Sequence, residues 1–355
     1  MSFTWRAWCR CPVKSLPKLW RQGICMVFFL RHNSSNCMAA WSLIGVYCVL
    51  FVATNITNKY VLSVLHFTYP TLFQEWQTSV GVIVLFVAAN RGFIKLTYDR
   101  SALLPWLPAM MFFVGSIYSG SRALSKLVVP AFVIIHNTVE FPAYIVGILI
   151  NNQAFSLANI ASMAAGTFAA ILTWVTDPQR DEGSYEEGYF WMLIYVLSAS
   201  SFAIYSTARG SAINLSDVEK LFYCYFFSAV ALSPASVILG DIVAAREFPH
   251  WFLYRFYIGC ILSGVLGAAM NLTGICVSRC PSPSLLSRLA IANAKTVLIL
   301  VSLAIFEGMF TGDFALSVFL GVTAYSVYTV TKTTSNTLAT NDVGEKLEIE
   351  RHENT

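Results

Sequence analysis

Ten separate runs of about twenty apolar residues recur along this chain, and each is long enough to cross a bilayer as a helix. Their limits fall near 38–58, 71–91, 103–121, 128–150, 155–176, 189–208, 219–240, 253–276, 284–307 and 311–331. Only 12% of the 355 residues are charged and 56% are hydrophobic. A soluble domain would carry about 25% charged residues. The sequence therefore predicts an all-α polytopic membrane protein.

The remaining composition excludes several classes. The net charge of +4 comes from basic residues scattered through loops, with no stripe for nucleic acid. The nine cysteines include no paired CxxC motifs, and the five histidines have no metal-ligand spacing, so no metal site or cofactor is expected. No HExxH, paired Asp or GxGD-like stretch supports an intramembrane enzyme.

Residues 1–37 read as a basic cytosolic tail, with Arg6, Arg10, Lys14, Lys18, Arg21 and Arg31 and no acid. An organellar presequence is the less favoured reading, and Met38 is an alternative start. Residues 333–355 read as a polar, irregular cytosolic tail. With the N-terminus in the cytosol, sixteen Lys/Arg fall on the cytosolic side and six on the other, which places both termini there. The linker from Thr176 to Gly188 (TDPQRDEGSYEEG) divides the ten-span domain, 38–332, into five spans (38–176) and five more (189–332). An odd number per half makes the halves opposite in orientation, a 5+5 inverted repeat with its site near the bilayer midplane.

Polar groups inside spans are the informative ones. A lysine at a helix centre costs about 2.5–3.5 kcal/mol to insert, so it faces a cavity or a partner. Lys295 sits within LAIANAKTVLILVSLAIF, on one face with Arg288 and Ser302. On the fourth span His136, Glu140 and Tyr144 are four apart and form a stripe beside Asn137; an internal His136–Glu140 pair is the leading expectation. Pro142 is expected to bend that helix. On the third span Gly115, Ser119, Gly120 and Ser121 favour close packing, with Tyr118 and Arg122 as an interfacial anchor. Tyr47, Phe222, Tyr223 and Tyr225 read as anchors by position alone. The sequons at Asn33, Asn55 and Asn271 are not persuasive glycan sites.

TNKYVLSVLHFTYPTLFQEWQT, FFVGSIYSGSRALSKLVVPAFVIIHN, FYCYFFSAVALSP and the Lys295 helix resemble the nucleotide-sugar transporters of the solute carrier 35 family. The resemblance runs from about Met38 to Lys332. It implies the ten-span drug/metabolite transporter fold and, from the branch it resembles most, exchange of UDP-N-acetylglucosamine for UMP across the Golgi membrane. Family GDP-mannose transporters hold ligand through FYNN, where this chain has Phe222-Tyr223-Cys224-Tyr225, and through GALNK, where it has Ile291-Ala292-Asn293-Ala294-Lys295. A family lysine on the fourth span is replaced by His136, followed by the matching Asn137. Tyr47 matches a tyrosine twelve places before Lys59 of TNK.

The resemblance thus implies Lys295, Asn293, Tyr223, Phe222, Tyr47, His136 and Asn137 as binding residues, with Lys295 facing the diphosphate. The lost FYNN asparagines argue against GDP-mannose. Another UDP- or GDP-sugar, or a transport-inactive scaffold, are the alternatives. The partners expected are the nucleotide sugar, the nucleoside monophosphate and the bilayer, with no nucleic acid; a homodimer is left open.

Overall fold

The computed structural model describes residues 37–96, 100–151, 155–179, 185–279, 285–306 and 311–353, the ends of these segments as backbone only. The basic N-terminal segment and the Asn33 sequon lie outside them. Among the described residues, ten helices are long and apolar enough to span a membrane. They are α1 (Cys37–Lys59, continued by a π turn, Tyr60–Val64), α2 (Pro70–Asn90), α3 (Arg100–Lys126), α4, α5 (Leu157–Thr176), α6 (Tyr185–Arg209), α7 (Asp217–Ile238), α8 (Tyr254–Ser278), α9 (Leu285–Ile305) and α10 (Gly312–Glu353). The last helix continues through the stretch expected to be irregular, which contains no proline to end its ladder.

The fourth span is broken. Its first part, Val129–His136, and its second, Glu140–Asn151, are joined by a 3-10 turn at Asn137–Val139. Pro142 is the physical cause. It offers no N–H to the carbonyl of Thr138, and its ring crowds that same turn. The break lies one turn from the bend the sequence predicts.

Helix pairing reveals the repeat. α3 packs on α6 as α8 packs on α1; α3 meets α7 as α8 meets α2; α4 meets α6 as α9 meets α1; α4 meets α5 as α9 meets α10. The pairs α2–α7, α4–α9 and α5–α10 are their own counterparts. These pairings are unchanged when every helix is exchanged for the one five places away, as expected of two five-helix halves related by a two-fold axis.

Lipid tails are as apolar as leucine, so these helices gain little from hydrophobicity and associate through close packing. A β-carbon at Gly120 would lie 2.9 Å from the Tyr195 ring, one at Gly321 2.6 Å from Ile134, and one at Gly81 2.6 Å from the Tyr225 ring. The small residues of α3 thus pack closely against α6, as the sequence predicts. Gly81→Val drives a branched side chain into buried Tyr225. It is expected to destabilise the α2–α7 contact by about 1–3 kcal/mol, seen as a lower unfolding temperature in detergent.

The bundle has a near face, where α1 begins and α10 leaves the span, and a far face. The far face is closed by an apolar cluster. Phe67, after α1, meets Phe248 at 5.1 Å and Phe256 at 4.9 Å between ring centroids, and Trp251 packs on both of the latter. Buried Lys59, at the end of α1, donates to the carbonyls of Leu124 (2.9 Å) and Leu127 (2.8 Å) at the end of α3. Near-face closure is more open to water: Arg279 of α8 pairs with Asp217 of α7 at 2.7 Å, both side chains about half exposed. Tyr118 and Arg122 form the expected anchor, with Arg122 against the Trp191 ring and near Glu187.

Candidate substrate-binding site

The broken fourth span brings together the groups that the sequence singles out. Lys295 on α9 is buried and donates to Asn137 Oδ1, within the 3-10 turn, at 2.9 Å. Its ammonium lies 3.9 Å from the centre of the Tyr325 ring on α10, a cation–π contact. The Tyr325 hydroxyl donates to Glu140 Oε1 at 2.7 Å, and Lys332 donates to Glu140 Oε2 at 3.3 Å. Glu140 therefore pairs with Lys332 directly and is linked to Lys295 only through Tyr325. Among the described residues no carboxylate comes within ion-pairing distance of Lys295 itself.

The expected His136–Glu140 pair does not form. His136 Nδ1 shares a hydrogen bond of 2.7 Å with the Tyr195 hydroxyl on α6, Glu140 turns to α10, and the Tyr144 hydroxyl accepts from Asn159 of α5 at 2.8 Å. A 3-10 turn advances 120° per residue where an α-helix advances 100°. Three such residues between His136 and Glu140 rotate a continuous stripe onto three different neighbours.

A cavity of about 320 Å³ lies at the centre of the bundle. His136, Tyr195 and Leu298 line it, the last three residues beyond Lys295 on α9. Lys295 itself stands beside the cavity and outside its lining, held by Asn137 and Tyr325. The lining contains no Lys, Arg, Asp or Glu among the described residues. Besides His136, its polar groups are carboxamides and hydroxyls, chiefly Asn55, Asn58, Gln74, Gln77 and Asn271, with Thr54, Ser116 and Ser121.

The seven residues implied by the resemblance divide. Lys295 bonds Asn137, His136 next to Asn137 lines the cavity, and Tyr47 stacks on the cavity residue Phe51, with ring centroids 6.3 Å apart. Asn293 is exposed on the outer side of α9 together with Val297 and Leu300. Tyr223 is buried with Trp106, Met110 and Ile213 in a cluster between α3 and α7, with Phe222 packed against it. It is Tyr225, two places on, that lines the cavity and accepts from Asn271 Nδ2 at 2.8 Å.

Sequence reasoning missed the carboxamides of α1 and α2. Asn55 and Asn58, like Gln74 and Gln77, are three apart within apolar runs. That spacing places each pair on one helix face and was the available signal. Glu140→Gln keeps an acceptor for Tyr325 and removes the one negative charge near both lysines. We expect nucleotide KM to fall about three- to tenfold and maximal exchange to slow, because the anion is held more tightly. An unchanged KM would show that Glu140 has no electrostatic influence on the site.

Comparison with known proteins follows the same line. No family model matches the chain. A Mus musculus protein, UDP-N-acetylglucosamine transporter TMEM241, is 41% identical over 236 residues, covering 66% of this chain and 78% of the relative. A Xenopus laevis homologue of it is 38% identical over 230 residues, covering 64% and 76%. A GDP-mannose transporter from Scheffersomyces stipitis is 26% identical over 300 residues, covering 81% and 90%. A solved crystal structure superposes over 82% of this chain and 96% of its own at a TM-score of 0.54 and 14% identity, a likeness of fold alone. The relatives are transporters and not enzymes, and this ten-helix membrane protein belongs to the nucleotide-sugar transporters.

Proposed function

We propose that the chain is an antiporter that carries UDP-N-acetylglucosamine from the cytosol into the Golgi lumen in exchange for UMP. The observation that carries this reading is the placement of one buried ammonium, Lys295, at the edge of a cavity whose own walls are neutral. A nucleotide sugar has matching chemistry, with a diphosphate between two uncharged groups. Lysine meets phosphate as a point charge. Lys295, Asn137, His136 and Tyr47 are the residues we assign to the ligand. The choice of sugar is supported by the names of the two relatives that are about 40% identical.

Exchange follows from the same charge. Lys295 has no carboxylate of its own, so an empty site would carry a bare cation through the reorientation. Nucleotide sugar in one direction and nucleoside monophosphate in the other each compensate it. The Lys/Arg bias supports a cytosolic near face, with both termini on that side. We take 38–176 and 189–332 as the two halves that rock about the site, flanked by tails at 1–37 and 333–355.

The test is counterflow into proteoliposomes preloaded with UMP, offering labelled UDP-N-acetylglucosamine, UDP-galactose and GDP-mannose in parallel. Uptake of the first that requires internal UMP is the expected result. Preference for another sugar would move the specificity, and uptake without internal UMP would remove antiport.

A further inference from the structure

The cavity and the lysine divide the site into a charged edge and a neutral wall, and the wall has its own chemistry. Asn55 donates through Nδ2 to the carbonyl of Phe51 in its own helix at 2.8 Å, which leaves its Oδ1 acceptor without a partner among the described residues. Gln77 donates to Asn58 Oδ1 at 2.9 Å and also to Ser263, and Gln74 donates to Ser121, so these amides are held in place by α1, α3 and α8. Thr54 is the anomaly. It lines the cavity, is only 4% exposed, and its hydroxyl has no hydrogen-bond partner among the described residues. Buried hydroxyls are normally satisfied, so an orphan in a cavity wall is explained by a ligand. At Gly267, in the same lining, a β-carbon would meet nothing within 4 Å, which gives the ligand room.

We propose that this wall, Thr54, Asn55 and Asn58 of α1 with Gln74 and Gln77 of α2, binds the pyranose of the nucleotide sugar and determines which sugar is carried. The assignment rests on the transport reading above. A phosphate has no cation to meet here. Pyranose hydroxyls and an acetamido group each donate and accept, as carboxamides and a threonine do.

UMP tests the division, because it carries the nucleoside and a phosphate without the pyranose. Thr54→Val keeps the shape and removes a hydroxyl that bonds to none of the described residues, so folding is not at risk. Asn55→Ala removes no bond between helices. In proteoliposomes each is expected to weaken half-maximal binding of UDP-N-acetylglucosamine about three- to tenfold, and that of UMP by less than twofold. Equal loss for both ligands would assign the wall to the nucleotide, and no loss for either would make it purely structural; both overturn the proposal. If the unsubstituted protein takes up UMP but no nucleotide sugar, the transport reading itself fails, and the assignment of the wall with it.

Discussion

Lys295→Ala is expected to reduce nucleotide-sugar exchange at least a hundredfold while the protein remains folded. The substitution removes the cation at the cavity edge, and a charge-assisted bond to phosphate is among the strongest single contacts a site can offer. The fold should tolerate the loss. A lysine near a helix centre costs about 2.5–3.5 kcal/mol to place in the membrane, and alanine does not. The partners released, Asn137 Oδ1 and the face of Tyr325, are an amide and an aromatic ring and not an ion. The unfolding temperature in detergent should therefore be unchanged or raised while counterflow disappears. Normal exchange by the alanine variant would take Lys295 out of the binding site.

Lys59→Met carries the second large effect, at the far face of the bundle. The Lys59 ammonium donates to two carbonyls, of Leu124 and Leu127, where α3 ends and the helix dipole is negative. Each such bond to a charged group contributes about 1.5–3 kcal/mol. Methionine fills similar volume and makes neither bond. The apolar cluster around Phe67 remains, but α1 is no longer tied to α3, and the far face is expected to open more readily. Exchange should fall about tenfold. A cysteine placed at Ser63, beside Lys59 in a far-face cavity of about 470 Å³, should become more reactive toward a water-soluble thiol reagent. Unaltered reactivity together with unaltered exchange would show that Lys59 has no part in closure.

The two predictions also separate how the molecule is closed at its ends. The far face is held by buried rings and a buried ammonium, the near face by ion pairs such as Arg279–Asp217, with both partners about half exposed. Exposed pairs contribute about 0–1 kcal/mol each and weaken with salt. On this accounting the near face opens first, toward the side on which the nucleotide sugar is expected.

The sequence by itself determined the spans and the position of Lys295 within one of them. Hydrocarbon thickness leaves little freedom in where a run of twenty apolar residues begins and ends. It also determined the break in the fourth span to within a turn, because a proline cannot complete the ladder behind it. It did not determine partners. Helical periodicity says which face of one helix is polar, and nothing about which of nine other helices meets it. Hence His136 and Glu140, spaced as a pair, turn to α6 and α10; Asn293, two places from Lys295, faces outward; and Tyr225 occupies the wall where Tyr223 was expected. The carboxamide wall is the fullest case. Each amide in an apolar run is one unremarked polar residue until packing of α1 against α8, and α2 against α7 and α8, gathers them around a single cavity. That gathering is a tertiary event, set by where glycines let helices approach, and no spacing along one chain segment encodes it.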